Sequence, residues 1–257
     1  MIWIVLLFFL FVFMLIALPQ KGVRVLMYHK ISRFEKDFLT VTTEQLDNQL
    51  KYLQRLDYQW ITAQNLLDFY FENKPLPAKS VLLTFDDGYL NNLEWAYPIL
   101  KKYNAKATIF IPTAFVGKVN AWDNGSDAIM TVEQLRGLDP SVFELALHTH
   151  THRNFADLTI EEVETEMLQN TAFFAENGLA YILVLAYPYG GRPEGELNVL
   201  MKKSLKKMGI VAAFRIGNRV NPLKIKDLYD LNRIDIRGTD GFWRFRLKVK
   251  FGKIGLF

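Results

Sequence analysis

V-L-L-T-F-D-D-G-Y, residues Val81 to Tyr89, is a short apolar run that stops at two adjacent carboxylates, Asp86 and Asp87, followed by Gly88. Val81, Leu82, Leu83 and Phe85 predict a strand buried on both faces, because the run is too short for a core helix. Gly88 permits the sharp turn that ends it. The paired acids are thereby expected at the carboxyl end of a buried strand, where α/β folds carry their chemistry. Taken alone, the same residues also read as an acidic Asp-Gly turn with no function. The surrounding chain decides between the two.

Upstream, Val23 to Tyr28 predicts the first strand, ended by His29. Thr42 and Thr43 open a helix through Leu56, with Leu46, Leu50 and Leu53 at helical spacing, and a short helix covers Ala63 to Phe71. Downstream, Asn91 to Tyr103 is helical in pattern and Ala107 to Ile111 is a buried strand. Gly117 to Asp127 is irregular, with Trp122 expected to be exposed in a loop that could fold over a site. Thr131 to Leu138 predicts a short helix, and Val142 to Leu147 a strand that runs into H-T-H-T-H, His148 to His152. Thr159 to Asn177 is the clearest helix, with Thr159, Glu161 and Glu162 at its start and Gly178 at its end. Strands at Tyr181 to Ala186, Ile210 to Phe214 and Leu231 to Ile236, and a helix at Gly195 to Met208, complete the order. Strand followed by helix, repeated, argues a parallel sheet or a closed barrel. The tail Phe242 to Phe251 interleaves basic and apolar residues. It reads first as a solvated terminal helix or strand, and second as a membrane-surface contact.

The 257 residues are 50% hydrophobic with a formal charge of +4, which suits one sizeable α/β domain. The charge fits an anionic membrane surface or polymer and is too weak to argue for nucleic acid, so no nucleic-acid partner is expected. There is no cysteine. Any metal must therefore be held by His, Asp or Glu. Ile2 to Leu18 is uninterrupted apolar sequence, near the minimum length for a spanning helix. No Lys or Arg precedes it and no small-x-small cleavage site follows. A transmembrane anchor over residues 1–19 is thus favoured over a cleaved signal, with one folded domain over 20–257. Lys21, Arg24 and Lys30 follow the anchor and by charge alone lean toward the cytoplasm.

All four histidines fall at carboxyl ends of predicted strands: His29 after the first, and His148, His150 and His152 after another. That gathering beside an Asp pair points to a metal site. In an extended strand, residues four apart lie about 13 Å apart, too far for two imidazoles on one ion. If the chain coils on leaving the strand, positions i and i+4 come to about 5 to 6 Å and face one way. Then His148 and His152 chelate together; if the strand continued, His148 and His150 would. The polar sequence and Arg153-Asn154 favour the first pair. Asp87 completes a His₂Asp set with open positions, the pattern of a catalytic site.

T-F-D-D-G at Thr84 to Gly88, H-T-x-T-H at His148 to His152 and Y-P-Y-G at Tyr187 to Gly190 resemble the motifs of the polysaccharide deacetylases, the NodB-homology group of carbohydrate esterase family 4. The resemblance spans about Val23 to Lys248. It implies an α/β fold, a distorted, incomplete (β/α) barrel, and removal of N-acetyl groups from an N-acetylated polysaccharide with a divalent metal, zinc being the expected ion. It makes Asp86 the catalytic base, Asp87, His148 and His152 the metal ligands, and Tyr189 the residue whose backbone N–H helps hold the oxyanion. Two departures stand out. The family's usual Arg two residues before the proline of the third motif is Ala186 here, and no His follows His152 to serve as general acid. One subgroup, the poly-N-acetylglucosamine deacetylases, resembles a circular permutation that moves this His to a Tyr-His pair at the front. Tyr28-His29 fits, which makes His29 the expected acid.

Amide hydrolysis asks for these roles: a deprotonated water, a stabilised oxyanion and a protonated leaving amine. The expected protein is a membrane-anchored deacetylase of an envelope polysaccharide such as poly-N-acetylglucosamine, with its catalytic domain outside the cytoplasm. The competing readings are a metal hydrolase of another amide or ester, and a sugar-binding protein that has lost turnover, which Ala186 favours.

Overall fold

Seven parallel strands close into a barrel in the computed structural model, which describes residues 21–252. The strands are β1 (Arg24–Tyr28), β2 (Lys30–Ser32), β3 (Thr40–Thr42), β4 (Gln59–Ile61), β5 (Ser80–Asp86), β6 (Ala107–Ile111), β7 (Phe143–Leu147), β8 (Val184–Ala186), β9 (Ala212–Ile216) and β10 (Leu231–Asp235). The ring runs β1-β10-β9-β8-β7-β6-β5, and β5 pairs back onto β1 from Arg24↔Val81 to Tyr28↔Phe85. The expectation of an incomplete barrel is therefore corrected. β1 has a partner along both edges, which leaves no open edge in the ring. β4 lies outside the ring along β5, and β2 and β3 form a separate parallel pair. The distortion survives at β7–β8, joined by the single aligned pair Leu147↔Leu185. There β8 is shorter than the expected Tyr181 to Ala186, and β9 begins two residues later than expected.

The helices are α1 (Thr43–Arg55), α2 (Ala63–Glu72), α3 (Tyr97–Lys102), α4 (Val132–Arg136), α5 (Ile160–Glu176), α6 (Gly195–Lys207) and α7 (Phe242–Phe251). Thr42 with Gln45, and Thr159 with Glu162, close reciprocal capping boxes at α1 and α5. The single helix expected over Asn91 to Tyr103 opens with a π-helical turn, Asn92–Ala96, before α3. Pro98 in the first turn of α3 has no N–H to donate, which breaks the regular ladder there. The expected anchor, residues 1–19, lies outside the described residues. Among the described residues no helix is long and apolar enough to cross a membrane.

Strand alternation sorts side chains into two cores. Leu26, Tyr28, Val81, Leu83, Phe85, Ile109 and Leu147 pack outward under the helices. Val25, Leu82, Phe110, Ala146, Val184, Ala186, Ala212, Phe214 and Leu231 fill the lumen. Counting on by twos from the lumen residues reaches His29 just after β1, Asp86 on β5, His148 after β7 and Arg233 on β10. The register that builds the core thus also aims these polar groups into one mouth, at the carboxyl ends of the strands.

Candidate active site

Asp86 is the last residue of β5 and is buried. Asp87 follows with φ +73°, and Gly88 with φ +66°. This left-handed pair fans the two carboxylates apart, as adjacent acids with separate tasks require. The Asp86 carboxylate lies 3.8 Å from His29 Nε2 and 3.9 Å from His148 Nε2. Asp87 Oδ1 lies 3.5 Å from His148 Nε2 and 3.2 Å from His152 Nε2.

His148 and His152 are brought together, with ring centroids 4.9 Å apart. The loop that brings them together is not the helical coil expected: Thr149 (φ +68°) and His152 (φ +59°) are both left-handed. Thr149 Oγ1 accepts the His152 N–H at 3.0 Å. Two residues of α5 brace the loop. Glu166 accepts the N–H groups of His150 and Thr151 at 2.9 and 2.7 Å, and Asn170 Nδ2 reaches Thr149 O at 2.5 Å. His150 points away to Thr113 Oγ1 at 2.9 Å. Among the described residues, nine other than glycine have positive φ, and five of these are Asn or Asp outside the site. The other four are Asp87, Thr149, His152 and Tyr189. Side chains of the Thr, His and Tyr type rarely adopt this conformation, so backbone strain of about 1–3 kcal/mol per residue is concentrated where the chemistry is expected.

Asp87, His148 and His152 each offer one ligand atom, and these atoms lie within 4.8 Å of one another. His148 Nδ1 lies 2.7 Å from Ala186 O. A carbonyl only accepts, so Nδ1 carries a proton and Nε2 is the ring nitrogen turned toward Asp87, the one that would ligate when the ring is neutral. Asp87 Oδ1 is buried with no hydrogen-bond donor among the described residues. Two imidazole nitrogens and an orphaned carboxylate oxygen fit a divalent cation in the way a His₂-carboxylate site requires.

Arg233 on β10 was missed by inspection of the sequence. Its guanidinium forks onto Asp86, with Nη1 to Oδ1 at 2.5 Å and Nη2 to Oδ2 at 2.8 Å. An arginine thus steadies Asp86 although position 186 is Ala. The Arg233 guanidinium also lies over the Phe110 ring, 5.4 Å from its centroid. An Arg among the alternating apolar residues of a predicted strand was the available signal.

The charges act on one another. Burial raises the Asp86 pKa, but Arg233, then His148 and His29, outweigh it and leave it lowered. Burial likewise opposes Asp87, yet His152 and His148 hold it well below the ordinary carboxylate range. For His148 burial lowers the pKa, and Asp86 and Asp87 together leave it raised. For His29 burial dominates and its pKa is lowered, with Asp86 and Asp87 offsetting only part.

Tyr189 sits in the turn after β8 with φ +57°. Gly190 and Gly191 donate back to Tyr187 and Pro188, and among the described residues the Tyr189 N–H has no acceptor. Its ring lies 4.8 Å from that of His152, and its hydroxyl donates to Asp123 at 3.3 Å. The Gly117 to Asp127 loop does fold over the site. Trp122 on it is not exposed, as had been expected, but half-buried, its ring 4.6 Å from Phe115 and 4.7 Å from His152. The apolar face of Phe115 draws it in.

His29, Asp86, Asp87, His148, His152, Tyr189 and Arg233 all line one cavity of about 230 Å³. A larger hollow, about 460 Å³, lies at the opposite end of the barrel around Leu138, Phe143, Leu179 and Tyr181. It gathers no comparable set of acids and bases, so size does not mark the site here.

The profile of the polysaccharide deacetylase family matches residues 73–213. The Bacillus subtilis protein YxkH, named a polysaccharide deacetylase, is 31% identical over 212 residues, covering 82% of this chain and 70% of its own length. The Staphylococcus aureus poly-beta-1,6-N-acetyl-D-glucosamine N-deacetylase is 29% identical over 175 residues, covering 65% of this chain and 59% of that protein. This chain thus matches about three fifths of the staphylococcal enzyme's length. The fold resembles that of IcaB from Ammonifex degensii, with a TM-score of 0.72 and 23% identity over 86% of this chain and 94% of that one. It also resembles the Streptococcus pyogenes deacetylase PplD, with a TM-score of 0.73 and 23% identity over 90% and 99%.

Proposed function

This chain is a member of the polysaccharide deacetylase family, hydrolases of carbon–nitrogen bonds, and on that premise we propose that it removes acetyl groups from a poly-N-acetylglucosamine-like glycan. The observation that carries the reading is the convergence of Asp87, His148 and His152 beside an Arg233-held Asp86 and His29 in one cavity.

Asp87, His148 and His152 would hold a divalent ion, and two nitrogens with one oxygen and no thiolate suit zinc. When bound, such an ion supplies Lewis acidity to the acetyl carbonyl and to water. Asp86 takes the proton of the attacking water. Its lowered pKa keeps it ionised at neutral pH, and the Arg233 fork fixes its direction. The Tyr189 N–H donates to the oxygen that becomes negative. His29 delivers the proton to the departing amine.

The test is acetate release from β-1,6-linked N-acetylglucosamine oligomers. Chelation with dipicolinate should abolish release, and added zinc should restore it. Full activity after exhaustive chelation would reject the metal assignment. His29→Ala should cost about 10²-fold, the low end for general-acid catalysis, because water can still protonate the amine. Its pH profile is the sharper check. The acid must be protonated to act, so activity is lost as pH rises through its pKa. With that pKa lowered by burial, the alkaline limb of kcat/KM should lie below the ordinary imidazole value of about 6.5 and vanish in the Ala variant. A limb unmoved by the substitution returns His29 to a structural role.

The reading as a sugar-binding protein without turnover drew on Ala186, and with Arg233 seated on Asp86 that support is gone. We place the catalytic domain on the outer face of the membrane, tethered by Ile2 to Leu18, since the glycan is exported. A C-terminal reporter active only outside the cytoplasm tests this.

A further inference from the structure

α7 has two faces. Phe245, Lys248 and Val249 turn inward and are buried, with Lys248 Nζ bonded to Asp235 O at 2.7 Å and to Asp240 Oδ2 at 2.5 Å. Trp243, Arg246, Leu247 and Lys250 recur at i, i+3, i+4 and i+7, which is a single helical stripe. That stripe faces away from the barrel: Trp243 is 61% exposed, Arg246 is exposed, and Leu247 and Lys250 are half-buried. Phe242 beside it is also exposed, at 47%, so two large rings reach solvent at the start of the helix. α7 contains no carboxylate to balance its cations. The neighbouring surface continues the pattern, since Arg246 and Lys250 share a groove with Lys79, Tyr52, Leu56 and Tyr58. Arg246 lies over the Tyr52 ring at 5.5 Å.

We infer that this face of α7 and the adjoining groove form a docking surface for an anionic lipid bilayer. Indole and aliphatic side chains beside Arg and Lys suit the headgroup boundary, where the rings enter and the cations meet lipid phosphate. A second, independent observation selects lipid over another partner. Arg24 Nε donates to Val249 O at 3.0 Å, and its Nη1 to Gly22 O at 2.8 Å. The point where the apolar segment Ile2 to Leu18 joins the body is thus fastened to the carboxyl end of α7. Sequence able to enter a bilayer and a face suited to lie on one leave the barrel at the same place. Docking would also set the catalytic cavity near the surface, because Arg237, on its wall, precedes α7 by a short turn.

The absence of cysteine makes the test clean, because one introduced Cys takes the only label. Full-length protein carrying Leu247→Cys is labelled with a fluorophore and reconstituted into phosphatidylglycerol–phosphatidylcholine vesicles. The control is Leu168→Cys on α5, a 60% exposed site that packs over β7, across the barrel from β1. Label at 247 should be shielded from aqueous iodide while label at 168 stays open. Shielding at 247 should be lost in pure phosphatidylcholine. In the Leu247→Cys background, Arg246→Gln and Lys250→Gln should each lower the docked-to-undocked ratio about fivefold. Equal quenching at 247 and 168, or shielding that is unchanged in neutral vesicles, overturns the proposal. So does equal shielding by soluble polyphosphate without vesicles, which would mark a polymer groove. Acetate release from soluble oligomers, read in the same samples, should not change in the Gln variants. A failure of docking is thereby separable from a failure of the deacetylase reading.

Discussion

Asp87→Asn should slow acetate release by more than about 10⁴-fold, since the water it helps to activate otherwise keeps a pKa near 15.7 rather than about 7. The substitution keeps the shape of the side chain and removes its charge. That charge would hold a cation between His148 and His152, and Asp87 Oδ1 has no hydrogen-bond donor among the described residues. Calorimetric titration with zinc should show the affinity lost in parallel. The fold should persist, and its acid stability offers a separate check. The depressed pKa of Asp87 gives the metal-free protein stability that is complete above the ordinary carboxylate value of about 3.9 and is lost as pH falls through the folded value. The Asn variant should lack that part of acid unfolding. Wild-type zinc affinity in Asp87→Asn would sink the ligand assignment.

The second large effect belongs to the buried pair Asp86–Arg233. Removing one member leaves the other uncompensated, and Arg233→Met should cost about 3–5 kcal/mol of stability. It should also disable the base. Burial raises the Asp86 pKa and Arg233 is its largest opponent, so without it the carboxyl is protonated at higher pH. A base must be ionised, so the acid limb of the rate profile should move up. Arg233→Lys keeps the charge but not the fork, and should fall between. Asp86→Asn alone should reduce turnover by about 10³- to 10⁴-fold. The double variant Arg233→Met with Asp86→Asn should recover most of the stability and none of the activity, because neither buried charge remains. Denaturation and acetate release on the four proteins decide it. An unaltered melting point and rate in Arg233→Met would mean that the fork is incidental.

The elements most legible in the sequence were those set by neighbours along the chain. The apolar run Val81 to Phe85 could only be a buried strand, and the capping residues at Thr42 and Thr159 fixed where helices begin. The structure brings His148 and His152 together, but through a left-handed Thr149 that nothing in the local sequence signals. Its conformation depends on Asn170 and Glu166 of α5, which no local pattern reveals. Trp122 was placed in solvent because its neighbours in sequence are polar, whereas its neighbours in space are Phe115 and His152.

By itself, the sequence settled which residue types stand at strand ends: Asp86 and Asp87 close one apolar run, His29 another and His148 a third. Where an apolar run stops is a local property, and so it survives without coordinates. Tertiary structure alone decided that the ring closes through β1 and β5, and that Arg233 reaches Asp86 across 147 residues of chain. Closure depends on which strand edges meet, and a guanidinium's partner depends on which strand ends the closed ring brings together. Both are facts of packing between distant segments, to which hydrophobic periodicity within any one segment is blind.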